Sequence, residues 1–171
     1  MPNVSLAKFS EFRDKSFLLV DDLSEFRSAI RQMVEAFGAT DIDLCSSGEE
    51  AIEKLRRKHY SAILCDYTLG EGKDGQQILE EAKSLEIIDD SQIFIMLTAE
   101  STAQLVMGAL EFEPDGYLVK PFNKEMLYQR LVRVIHKKEV LNSIYKKINT
   151  KDPSSILKIC DDYISSWDGS V

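Results

Sequence analysis

Three aspartates, a threonine and a lysine stand at the ends of short runs rich in apolar residues. Asp21-Asp22 follows Phe17-Leu-Leu-Val20, Asp66 follows Ser61–Cys65, Thr98 follows Ile93–Leu97, and Lys120 follows Tyr117–Val119. Brought together, three carboxylates repel one another and raise at least one pKa unless a cation sits among them. Oxygen donors alone suit a hard, Mg²⁺-like ion, which keeps several waters and binds through one or two carboxylates plus phosphate oxygens. A carboxylate in that setting can act as a nucleophile and form an acyl phosphate. The transferring phosphoryl group needs its negative charge neutralised, by the metal on one side and by Lys120 on another. Thr98 is placed to hydrogen-bond a phosphoryl oxygen, and the small Ala99 leaves room for it. Taken singly, each piece has a plainer reading; Asp-Asp after a strand is often just a helix-capping turn. The signal lies in distant pieces falling at matching ends of successive units.

Such convergence requires a particular fold. Phe17–Val20 is continuously apolar, as expected of a strand buried on both faces. Ser24–Phe37 places Phe26, Ile30, Met33, Val34 and Phe37 at helical spacing, with Ser24 as the expected N-cap and Gly38 as the stop. The alternation continues with a strand at Asp41–Cys45, a helix at Gly48–Lys58, a strand at Ser61–Cys65 and a helix at Gln76–Leu85. A strand at Ile93–Leu97, a helix at Thr102–Phe112 and a strand at Tyr117–Val119 come next. A long last helix is capped by Asn123. Parallel strands need crossover helices, and right-handed crossovers cover both faces. The expected fold is α/β, a doubly wound five-stranded parallel sheet in the order 2-1-3-4-5, flanked by five helices and followed by a C-terminal helical extension. Residues 1–15 read as an N-terminal extension, 16–137 as the α/β domain, and 138–171 as helical tail. All strand C-termini then share one edge, which is where ligands bind in such sheets.

From Ser16 to His136 the chain resembles a bacterial two-component receiver domain, the chemotaxis response regulator being a familiar member. The resemblance rests on Phe-Leu-Leu-Val-Asp21-Asp22, Leu-Cys-Asp66-Tyr, Leu97-Thr98-Ala99-Glu100 and Tyr117-Leu-Val-Lys120-Pro121-Phe122. It implies Asp66 as phosphoacceptor, taking the group from a sensor histidine kinase or a histidine phosphotransfer protein. The chain would catalyse its own phosphorylation and dephosphorylation without being a conventional enzyme. It further implies Mg²⁺ (or Mn²⁺) held by Asp22, Asp66 and the backbone carbonyl of Thr68, with Asp21 acting mainly through water. Lys120 would pair with the phosphoryl group, the Lys120–Pro121 bond would be cis, and Thr98 with Tyr117 would form the switch pair. Thr68 and Glu100 would modulate phosphorylation lifetime. A downstream protein would dock on the face made by the fourth helix, the fifth strand and the fifth helix. One departure stands out. The loop Tyr67-Thr-Leu-Gly-Glu-Gly-Lys-Asp-Gly75 lacks the usual proline and is one residue longer, so the Thr68 carbonyl could sit differently.

Composition narrows the field. The net charge is −8, unevenly spread: residues 137–171 carry six lysines and five acids, while the rest sums to −9. An acidic body disfavours nucleic acid as a direct partner. No apolar run approaches the roughly 20 residues that span a membrane, and the first fifteen residues have no secretory apolar block. Cys45, Cys65 and Cys160 form no CxxC pair, which argues against a disulfide framework or a zinc site and suits a reducing cytoplasm. His59 and His136 fall away from the strand edge and read as surface residues. Three other readings compete. A haloacid-dehalogenase-like phosphatase would need Asp-x-Asp, but Thr68 stands two after Asp66. A flavodoxin-like FMN carrier would need a phosphate loop after the first strand. An interaction module that is never phosphorylated would not need the full acidic cluster. In the tail, Leu127, Leu131, Val134, Leu141, Tyr145 and Ile148 fit alternating steps of four and three, interrupted by Lys138, as in a homodimer seam. Alternatively, Ser154–Trp167 begins a helical-repeat effector.

Overall fold

The continuous apolar runs do become strands with both faces covered. The computed structural model describes residues 12–99, 112–149 and 153–166. Its strands are β1 (Ser16–Val20), β2 (Asp41–Cys45), β3 (Ala62–Asp66), β4 (Ile93–Thr98) and β5 (Gly116–Val119). They form one parallel sheet in the order β2-β1-β3-β4-β5, as expected. The helices are α1 (Ser24–Ala36), α2 (Gly48–Arg57), α3 (Gly75–Ser84), α4 (Lys124–Asn149) and α5 (Pro153–Ser166). The helix expected over Thr102–Phe112 lies outside the described residues except for Phe112.

Alternation along each strand sorts side chains between the two faces. Leu18, Val20, Ile63, Cys65, Phe94 and Met96 pack on one side with Ala51, Ile52 and Leu55 of α2 and Ile78, Leu79 and Ala82 of α3. Phe17 faces the other way, into an aromatic cluster with Phe12, Phe37 and Tyr128 whose ring centroids lie 5.2 to 6.0 Å apart. Phe12 is fully buried, so the segment before β1 contributes to this core. Fully burying one such side chain is worth roughly 1.5–3 kcal/mol before chain entropy is counted.

The helix starts carry their own signals. Ser47 accepts the Glu50 N–H at the start of α2, and Asp74 with Gln77 forms a reciprocal capping box at the start of α3. Asn123 caps α4 by accepting the Met126 N–H at 2.9 Å. Ser24 is not the cap of α1. The N-cap is Leu23, whose N–H is held by Asp21 Oδ1 at 2.9 Å, so the chain has already turned helical by Ser24.

Compactness divides the chain inside α4, between Arg130 and Leu131. In the second unit, α5 folds back along α4, since Tyr163 meets His136 with ring centroids 5.4 Å apart. Of the expected seam, Leu127, Leu131 and Val134 are buried, whereas Leu141, Tyr145 and Ile148 are exposed. Among the described residues, no helix is long and apolar enough to cross a membrane.

Candidate functional site

Parallel pairing sets the strand ends level with one another. Val20 is in register with Cys65, Asp66 with Leu97, and Thr98 with Val119. Each residue just beyond or at those ends therefore reaches the same edge. Asp21 leaves β1 still paired, its N–H donating to the Cys45 carbonyl at 3.3 Å. Lys120 leaves β5 with its N–H on the Thr98 carbonyl at 2.7 Å, ahead of a cis bond to Pro121. The expected cis peptide is present.

At the centre, the Lys120 ammonium lies 2.8 Å from Asp21 Oδ2 and 2.9 Å from Asp66 Oδ2. The side chains of Asp21, Asp66 and Lys120 are 1%, 10% and 16% exposed, so this triad is poorly solvated, whereas Asp22 is exposed. One carboxylate oxygen from each of Asp21, Asp22 and Asp66 falls within 4.8 Å of the others. Three carboxylates against one ammonium leave the edge net negative, and every donor is a hard oxygen. That arrangement fits a divalent cation of the Mg²⁺ type. Burial is the main force on the Asp66 carboxyl and raises its pKa; Lys120 opposes this by hydrogen bond and charge, Asp21 adds to it, and the Thr68 N–H opposes it. The direction follows because desolvation of a charge outweighs one shared ammonium.

The loop after Asp66 is held close. Gly75 donates to the Tyr67 carbonyl at 2.8 Å, and a Cβ there would stand 2.4 Å from the Asp66 carbonyl oxygen, so only glycine fits. Gly70, at φ +51°, passes beside Asp22: a Cβ would lie 3.3 Å from Asp22 Oδ2. Thr98 is buried at the end of β4. Tyr117 is half-buried and packs against the core beneath α2 and α3; burial, then the charge of Glu113, raises its pKa. Glu100 lies outside the described residues. Cys65 is fully buried and its thiol pKa is raised by burial, and burial pushes Cys45 up to about 12, so neither serves as a thiolate ligand or nucleophile.

Residues 17–132, well over half the chain, match the response regulator receiver domain family. The chain belongs to that family. This receiver domain is 22% identical to the chemotaxis protein CheY-3 of Vibrio cholerae serotype O1 over 125 residues, covering 73% of this chain and 95% of that protein. Among solved structures it is similar to the N-terminal domain of a response regulator/sensory box/GGDEF three-domain protein from Carboxydothermus hydrogenoformans. That pair is 25% identical with a TM-score of 0.65, covering 73% of this chain and 97% of the other. The receiver domain of a sensor histidine kinase from Pseudomonas aeruginosa PAO1 is also similar, at 27% identity and a TM-score of 0.60, covering 71% and 98% of the two chains. That structure holds a magnesium ion coordinated in its active site cleft. Family and acidic pocket together make this a receiver domain of phosphorylation-activated, two-component signalling.

Two contacts at the receiver edge were not legible as chemistry in the sequence. Arg27 Nη1 donates to the Asp21 carbonyl oxygen, tying α1 to the acidic turn. The Lys120 ammonium also lies 4.0 Å from the centroid of the Phe26 ring, which in turn meets Phe122 edge to face at 5.6 Å. Phe26 reads in the sequence only as one of several apolar residues at helical spacing.

Proposed function

We propose that Asp66 is the phosphoacceptor of a bacterial, cytoplasmic two-component pathway. A carboxylate oxygen of Asp66 attacks the phosphorus of a phosphohistidine on a sensor kinase or phosphotransfer protein. The P–N bond breaks, the imidazole leaves with its electron pair, and an acyl phosphate remains on Asp66. Asp21, Asp22, Asp66 and the backbone carbonyl of Thr68 would hold Mg²⁺ (or Mn²⁺), Asp21 mainly through water. The cation when bound supplies charge neutralisation for the phosphoryl oxygens. Lys120 neutralises the same charge from the other side, and the Thr98 hydroxyl donates to a phosphoryl oxygen. Thr98 and Tyr117 then shift together and bias the face of the fourth receiver helix, β5 and α4 toward a downstream protein. Phosphate favours that state by its difference in contact energy. Thr68 and Glu100 adjust access of water to the acyl phosphate. Residues 16–137 act as the receiver and 138–171 as its helical extension, through which two copies could pair.

The observation that carries this reading is the Lys120 ammonium shared between Asp21 and Asp66, with Asp22 alongside. Incubation with Mg²⁺ and radiolabelled acetyl phosphate tests it. The expected result is one hydroxylamine-labile phosphate per chain, absent from Asp66→Asn and absent without divalent metal. Equal labelling of Asp66→Asn refutes the assignment. Sedimentation with and without beryllofluoride checks the pairing of copies, which an unchanged mass removes.

A further inference from the structure

The lysine at this edge has four rotatable bonds and must keep its ammonium over Asp66 before and after the carboxylate changes charge. Carboxylates alone hold it imperfectly, because one of them is the group that reacts. The structure supplies a third contact that does not react. The Phe26 ring centroid lies 4.0 Å from Lys120 Nζ, well within the roughly 6 Å over which a ring quadrupole attracts a cation. Two of the three ammonium N–H donors already meet Asp21 and Asp66, and the ring adds a contact that calls on no further oxygen acceptor. The ring is itself braced: Phe122, two residues beyond Lys120, meets it at 5.6 Å with an interplanar angle of 83°. Phe26 stands in the first turn of α1, directly after the Asp21-Asp22 turn. The contact therefore ties the loop that carries the acids to the loop that carries the lysine.

We propose that Phe26 is a positioning residue for phosphoryl transfer, its ring holding the Lys120 ammonium where it meets Asp66 and an incoming phosphoryl group. The inference rests on the reading of Asp66 as phosphoacceptor and Lys120 as its cationic partner. The plainer role for Phe26, apolar filler on α1, predicts that any side chain of similar bulk suffices. Phe26→Leu keeps apolarity and part of the bulk and removes the ring; Phe26→Tyr keeps the ring at this half-buried position.

With acetyl phosphate and saturating Mg²⁺, Phe26→Leu is expected to slow labelling of Asp66 about five-fold, the scale of one cation–π contact, and Phe26→Tyr to restore it. In a Lys120→Met background, Phe26→Leu should cause no further loss, because its effect passes through the lysine. In the metal-free protein, the Lys120 ε-methylene protons should show an upfield ring-current shift that Leu abolishes and Tyr keeps. Wild-type labelling in Phe26→Leu, or an equal loss in the Lys120→Met background, overturns the proposal; Phe26→Met serves should the leucine variant not fold. A wild-type protein that takes no label sinks the phosphoacceptor reading instead, and the ring-current shift then decides by itself whether Phe26 seats Lys120.

Discussion

The two ends of the sheet are built from the same parts and do opposite things with them. At the N-terminal end, Lys58 bridges Asp41 at 2.6 Å and Asp43 at 2.8 Å and lies 4.9 Å from the Tyr60 ring centroid. At the C-terminal end, Lys120 bridges Asp21 and Asp66 and lies over Phe26. The difference is solvent and surplus charge. Lys58, Asp41 and Asp43 are all more than a third exposed, and the Tyr60 hydroxyl adds a hydrogen bond to Asp43 at 2.8 Å. The Asp43 pKa is consequently lowered, by the Lys58 hydrogen bond first and by Tyr60 as well, with burial opposing. Asp66 is pushed the other way, by burial, in a group with two acids more than its cation can balance, against one more at Lys58. A satisfied, solvated cluster is a clasp; a desolvated one with charge left over is a place for a cation and a reaction.

The largest effect that tests this contrast comes from removing each lysine. Lys120→Met should slow phosphorylation about 100-fold and cost the metal-free protein roughly 2–4 kcal/mol in urea unfolding, since two poorly solvated aspartates lose their cation. Lys58→Met should cost less than about 1 kcal/mol; equal losses would erase the distinction between the ends. Next in size is the response to Mg²⁺. Saturating the wild type at 100-fold over the dissociation constant should add about 2.7 kcal/mol to stability. Asp22→Asn should forfeit most of that gain in the same thermal melts, whereas Asp43→Asn should keep it.

The smallest effect is the pH dependence. Asp43 has a folded pKa below its unfolded one, so its stabilisation is full above the ordinary aspartate range, about 3.9, and fades as pH falls through the folded value. Asp43→Asn should be slightly less stable than wild type at pH 7, by well under about 1 kcal/mol, and the gap should close in acid. Asp66 has the reverse sign: its raised folded pKa makes its ionisation oppose folding as pH rises through that value. A gap for Asp43→Asn that widened on acidification would contradict the clasp.

Much of this was legible before any coordinates. Unbroken apolar runs such as Phe17–Val20 pointed to strands covered on both faces, and alternation with amphipathic segments led to the parallel order seen. That order brought Asp21, Asp22, Asp66, Thr98 and Lys120 to one edge. Turns were less legible. Ser24 has the chemistry of an N-cap, yet the cap position falls on Leu23, which makes no side-chain cap, and Asp21 Oδ1 accepts the Leu23 N–H. Phe26 was legible only as an apolar position, because periodicity reports the face a residue occupies and not the charged group its ring will meet.

By itself the sequence determined which residue types stand at the strand ends, since strand period and chain order follow from local apolar pattern. The tertiary structure alone decided which acids Lys120 bridges, which ring it rests against and how little water reaches them. Those are contacts across as many as 99 positions of chain. Their energies depend on ångström distances and local solvation, and spacing along a chain encodes neither.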